Sequence, residues 1–149
     1  MPGLTLDQAE KIIAAARRER KRLKEVPLAY AVLDSGGHVV AMAREDGAGF
    51  LRNEIAANKA WTCFAVGMPL RSWRDHTDGH PQFFTAINGA GGGRVMFAIG
   101  GVVIRDAKGR ALGSMGISGA KGEVDEAICV KAIAAAGLTA EIGGLKKKA

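Results

Sequence analysis

The 149-residue chain has few of the residues that usually identify a small protein. Its two cysteines, Cys63 and Cys129, stand 66 positions apart, with no Cys-x-x-Cys and no Cys/His ligand spacing. A disulfide scaffold, a zinc knuckle and covalent c-type haem attachment therefore lack support, and the thiols read as buried in a reducing compartment. Aromatic residues make up only 5% of the chain, too few for a surface that stacks nucleic-acid bases. No window approaches ~18 consecutive apolar residues, and the first residues lack a basic stretch followed by an apolar one. A cytoplasmic protein with no membrane association is expected. Neither a Gly-x-Ser-x-Gly elbow nor a Gly-Lys-Ser/Thr phosphate loop occurs, so nucleophilic hydrolysis and nucleotide-triphosphate binding find no positive signal.

What is present is 48% hydrophobic residues and 21 glycines in a length that suits one domain. The formal net charge of +6 sits in two short clusters. Residues 17–24 hold six bases and one acid, and Lys146, Lys147 and Lys148 form the second cluster, which leaves the body slightly acidic. A protein that tracks phosphates needs a continuous basic surface. Here the charge reads as a solvated helix end and a flexible tail over 144–149, with no nucleic-acid partner.

Thr5-Leu6-Asp7-Gln8 forms a capping-box pattern, and Leu6, Ala9, Ile12, Ile13 and Ala16 follow at helical spacing. Leu28–Leu33 and His38–Arg44, separated by Asp34-Ser35-Gly36-Gly37, predict a β-hairpin whose first strand is covered on both faces. A second helix is expected over 51–66 with Gly67 as its C-terminal cap, and a short one from Pro69 to about Asp75. Periodicity then fails, so residues 74–94 read as an atypical loop. Val95–Ile99, Val102–Arg105 and Arg110–Ser118 read as strands, and a last helix runs from about Gly122 to Gly137. This order excludes repeated βαβ units and predicts an α+β domain over residues 1–149, with an antiparallel sheet flanked by helices.

Five blocks in this order resemble the GlcG/HbpS-like (haem-degrading or haem-binding) family. They are Leu4–Ala9, Val32–Ala41, Glu54–Ala60, Ile99–Ile104 and Ile117–Ala127. The resemblance implies a single α/β domain of profilin-like form, a five-stranded antiparallel sheet with helices on both faces, and assembly into dimers or larger oligomers. Members are linked to haem or corrinoid binding and to catabolic operons. Fold transfers across such a resemblance more safely than function.

Several residues can carry chemistry. Glu54 and Asn58 share a helix face, and Lys59 lies about 100° further round. The family's matching lysine points to Lys59 as an anchor for a carboxylate or propionate. Glu123, Asp125 and Glu126 crowd the first turn of the last helix, where they cap it, offer a general base or ligate a hard cation. His76, Asp78 and His80 form His-x-Asp-x-His, two imidazoles and a carboxylate able to hold a divalent metal. His38 is an axial-ligand candidate at the hairpin. Arg44, Trp61 and Gly101 complete the ligand-binding candidates, and Trp61, Trp73, Phe83 and Phe84 offer a wall for a planar molecule. The first functional expectation is a small-ligand-binding protein, with haem or a related planar carboxylated molecule as ligand. The second is a cofactor-independent or metal-assisted enzyme acting on a small organic acid, with Glu54, Lys59, Asp125 and Glu126 as its catalytic set. A third is a purely structural assembly partner.

Overall fold

The computed structural model describes residues 3–144. Five antiparallel strands form one sheet in the order β2-β1-β4-β3-β5, made of β1 (Ala29–Asp34), β2 (Val39–Arg44), β3 (Gly101–Arg105), β4 (Ala111–Ser118) and β5 (Thr139–Glu141). Alternation decides which side chain serves which layer. Tyr30 and Val32 of β1 join Val102, Ile104, Met115 and Ile117 in the larger core, beneath α1 (Leu6–Leu23) and α5 (Gly122–Ala135). Ala29, Ala31 and Leu33 face the other way, against Ala56 and Ala60 of α2 (Leu51–Ala65). As its unbroken apolarity predicts, β1 is buried on both faces.

The first helix begins where the capping box places it. Gln8 N–H donates to Thr5 Oγ1 at 3.1 Å and Thr5 N–H donates to Gln8 Oε1 at 3.0 Å. Its basic end has internal work: Arg20 pairs with Glu45 at 3.0 Å, Arg17 lies 4.0 Å from the same carboxylate, and Arg22 pairs with Glu19 at 2.6 Å. Glu45 also accepts from the Tyr30 hydroxyl at 2.7 Å and from Leu28 N–H at 3.0 Å. Burial pushes its carboxyl upward, but these donors outweigh burial and hold it below the usual carboxylate range. The carboxylate thereby ties α1 to the base of the β1–β2 hairpin.

Between residues 66 and 100 the structure corrects several expectations. Gly67 takes the left-handed cap (φ 75°) after α2, and Met68 N–H donates to Cys63 O at 2.9 Å. Pro69 is the N-cap of α3 (Leu70–Thr77) rather than its first residue. The segment 74–94, expected as a loop, contains the end of α3 and a ten-residue helix, α4 (Pro81–Ala90). No residue of α4 is buried, so no apolar stripe betrays it; Pro81 at its first turn was the available signal. Val95–Ile99 is not a strand. Side chains take the backbone donors there: Val95 N–H binds Asn88 Oδ1 at 3.0 Å and Met96 N–H binds Thr62 Oγ1 at 2.9 Å. The fifth strand is instead β5, three residues pairing with β3. The expected basic tail lies, apart from Gly144, outside the described residues.

Candidate functional site

The sequence-predicted residues fall into three places. The first is buried between α2, β4 and α5. Lys59 Nζ donates to Ile117 O at 2.8 Å and pairs with Asp125 Oδ2 at 3.3 Å, and Asp125 Oδ1 accepts from Ala120 N–H at 3.3 Å. Asp125 is fully buried. Burial pushes its carboxyl up to about 6, with Lys59 pulling in the opposite direction. Gly100 (φ 115°) makes room for the pair, since a Cβ there would stand 2.8 Å from Lys59 Nζ. Lys59 is therefore committed to an internal partner and offers no free ammonium to a ligand carboxylate.

The three acids of the last helix each face a different cation. Glu126 receives a bidentate Arg71 guanidinium, closest at 2.8 Å, while exposed Glu123 lies 3.9 Å from Arg74. They converge on no common centre, and among the described residues no group of three or more His, Cys, Asp or Glu is placed to hold a metal. This corrects the expectation of a hard-cation ligand set. Glu54 is exposed on α2 and does not join Lys59, Asp125 and Glu126 in one site. Gly101 is buried, with Lys59 O 2.7 Å from the place of a Cβ. It allows α2 to approach β3 and has no surface to give a ligand.

The second place is the hairpin turn. Trp61 packs against Gly37, and the Arg94 guanidinium covers its ring 4.1 Å from the centroid while reaching Asn58 Oδ1 at 3.5 Å. His38 stands exposed beside it, 3.4 Å from Asp34. The hollow against Trp61, Phe64 and Ser35–Gly37 measures about 180 Å³. Arg44 lies outside this cluster and donates to Ala48 O at 2.6 Å, bracing its own loop.

The third place is the corner between α3 and α4. His76 stacks on Trp73 (centroids 6.1 Å apart, 19° between planes) and meets Phe83 edge-on. Asp78 and Gly79 (φ 76°) turn the chain, and exposed His80 is the N-cap of α4, with its side chain making no capping bond. The helix break pulls His-x-Asp-x-His apart, so the proposed metal set of His76, Asp78 and His80 does not assemble. In its place two adjoining hollows share Gly79 and Pro81. One, about 280 Å³, is walled by Pro81, Phe84 and Phe97 and edged by Arg74; the other, about 400 Å³, is lined by His80, Gln82 and Phe83. The Trp73 indole N–H is buried without a partner at the same corner.

The sequence model of the haem degrading protein HbpS-like family matches residues 4–134. The chain belongs to the HbpS-like family. The solved PduOC–haem complex is 27% identical to this HbpS-like chain, with a TM-score of 0.79 over 89% of this chain and 94% of that one. A double mutant of HbpS from Streptomyces reticuli is 26% identical, with a TM-score of 0.75 over 90% and 87%. ORFY of Klebsiella pneumoniae, 21% identical with a TM-score of 0.77 over 90% of each chain, supports the fold alone. No curated protein matches the sequence. Among the described residues, no helix of this HbpS-like chain is long and apolar enough to cross a membrane.

Sequence reasoning missed Arg71, Arg94 and Phe97. Arg71 had no signal of its own in the sequence, because the burial of Glu126 that calls for a cation shows only in the fold. Arg94 and Phe97 reach their partners only after α4 returns the chain toward α2, and Phe97 meets Phe84 at 4.8 Å between centroids.

Proposed function

We propose that this HbpS-like protein binds haem or a related planar, carboxylated molecule at the α3–α4 corner. The observation that carries the reading is the coincidence there of an exposed imidazole, aromatic walls and a guanidinium around two hollows that share Gly79 and Pro81. Ligand sites combine apolar walls with a few fixed polar groups in about 300–1,000 Å³; the hollow lined by His80 and Phe83, about 400 Å³, lies within that range, and the one walled by Phe84 and Phe97, about 280 Å³, adjoins it. The hairpin offers a smaller hollow, and the Trp61 face is already covered by Arg94. The relative solved with haem adds support from outside the chain.

The residues present fit such a group. His80 would supply an axial nitrogen, Phe84, Phe97 and Pro81 an apolar wall, and Arg74 a partner for a propionate once it leaves Asp75 (3.5 Å) and Glu123 (3.9 Å). Bound haem supplies redox and oxygen chemistry through its iron. The chain's own contribution is to bind the group, orient it and shield one of its faces.

Haemin titration followed at the Soret band tests the assignment. The wild type should show a saturable red shift, Arg74→Ala should weaken binding about tenfold, or ~1.4 kcal/mol, and His80→Ala should remove the axial-ligand signature while His38→Ala leaves it intact. A wild type without saturation, or His80→Ala titrating like the wild type, removes the site.

A further inference from the structure

Four exposed large apolar side chains belong to one end of the molecule, where β1 begins and β2 and β4 finish. Phe50 is 79% exposed, Leu51 60%, Val26 53% and Leu23 39%. Single exposed apolar residues are ordinary, whereas a group of them marks an interaction surface. They come from two segments that the fold brings together, the end of α1 with the turn after it and the loop between β2 and α2. Arg20 pairs with Glu45 across them at 3.0 Å, and Glu45 N–H donates to Leu28 O at 2.9 Å. Gly47 lies against Pro27, whose Cγ is 3.5 Å from the place of a Cβ. Phe50 opens α2 without a side-chain capping bond, in a position that usually goes to Ser, Thr, Asp or Asn. Neither Phe50 nor Leu51 joins an apolar core cluster, so the fold gives these side chains no internal task.

We propose that this end docks on an anionic lipid surface, with Phe50 and Leu51 entering the boundary between headgroups and acyl chains and the neighbouring bases meeting the headgroups. Charge complementarity selects the occupant. Residues 17–27 and 44–52 hold eight bases against four acids. Two of those acids are neutralised within the fold, Glu19 by Arg22 at 2.6 Å and Glu45 by Arg20. Lys21, Lys24 and Arg52 are exposed. Lys24 even holds the left-handed cap of α1 (φ 55°), a place where glycine is usual. Interfacial binding adds buried apolar area to attraction between such bases and anionic lipid, and it needs no spanning segment. The absence of a spanning helix among the described residues, and the sequence expectation of no membrane association, therefore do not bear on it. Shape favours lipid over a folded partner. Side chains as exposed as Phe50 and Leu51 would need a fitted pocket on a protein, whereas a fluid interface yields to any apolar projection.

Flotation of the full chain with vesicles tests the surface. At about 0.15 M salt, the wild type should float with phosphatidylcholine vesicles containing about one-third phosphatidylglycerol and stay behind with pure phosphatidylcholine. At about 1 M salt, where the Debye length falls to about 3 Å, most of the binding should be lost. Phe50→Ser with Leu51→Ser, and separately Lys21→Glu with Lys24→Glu, should each weaken binding about tenfold or more. Both variants should keep the wild-type circular dichroism and haemin titration, because none of the four residues lies at the α3–α4 corner. A wild type that floats with neither vesicle, as an end that docks a protein would behave, overturns the proposal. So does flotation that pure phosphatidylcholine supports equally, or that the Phe50 and Leu51 changes leave at the wild-type level.

Discussion

Asp125→Ala is expected to cost about 3–5 kcal/mol of unfolding free energy at pH 7, the usual range when one partner of a buried ion pair is removed. The variant leaves the Lys59 ammonium, only 4% exposed, with Ile117 O as its remaining hydrogen-bond acceptor. It also strips Ala120 N–H of its acceptor. Lys59→Met should cost distinctly less, because the Asp125 carboxyl, which burial already pushes up to about 6, can take up a proton once its partner is gone. Replacing both, as Lys59→Met with Asp125→Leu, should recover most of the loss. Urea denaturation of the four proteins reads the asymmetry directly, and an Asp125→Ala variant within about 1 kcal/mol of the wild type would show that the pair holds nothing.

The same pair gives stability a pH dependence of definite sign. The Asp125 carboxyl lies near 6 in the folded chain against an ordinary 3.8, so the folded state holds the proton more firmly than the unfolded one. Its contribution is complete below about pH 3.8 and is lost as the pH rises through about 6. Asp125→Asn should lack that slope, so the stability difference between wild type and variant should change between pH 4 and 6 and level off above.

Gly116→Ala is the second large effect. Gly116 pairs with Ala31 on one side and Gly101 on the other, in the middle of the sheet, directly beneath α2. A Cβ there would collide with the Ala56 carbonyl oxygen and stand 2.8 Å from Ala60 N and 3.0 Å from Lys59 Cβ. The obstacles are mainly the helix backbone, which no rotamer change relieves. Overpacking usually costs 1–3 kcal/mol, and with α2 forced off the sheet the cost should reach about 3 kcal/mol or leave the chain unfolded. Thermal melting supplies the value. Gly3→Ala, in open space, is the matched control and should melt with the wild type.

Local rules were enough for the parts of the fold whose signals are local. The capping box fixed the start of α1, and unbroken apolarity marked β1 as central. Side chains that satisfy backbone donors from a distance are invisible to such rules. Val95–Ile99 has strand composition, yet Asn88 and Thr62 intercept its amides and Gly100 turns the chain before a ladder can form. In α5 the hydrophobic residues encircle the helix, so no stripe in the sequence marks its inward face: Ala127 is exposed, while Cys129, Asp125 and Glu126 are buried.

The candidate site was legible as residue types and not as a constellation. Lys59 and the acids of α5 were singled out, but their pairing depends on how far α2 sinks onto Gly101 and Gly116. The three histidines were read as one possible metal set plus a hairpin ligand. The break between α3 and α4 places His76 in an aromatic stack and His80 at the edge of a hollow. That break depends on Gly79 in a left-handed conformation followed closely by Pro81, a short-range signal hidden inside a segment without periodicity.

Backbone amide spectra of the isotope-labelled protein, recorded with and without one equivalent of ferric haem, test the central claim most directly. Paramagnetic broadening should be confined to residues 73–84 and the neighbourhood of Phe97, and should be absent with His80→Ala. Broadening centred instead on residues 35–38 and Trp61, or no localised broadening, would contradict the assignment of the α3–α4 corner.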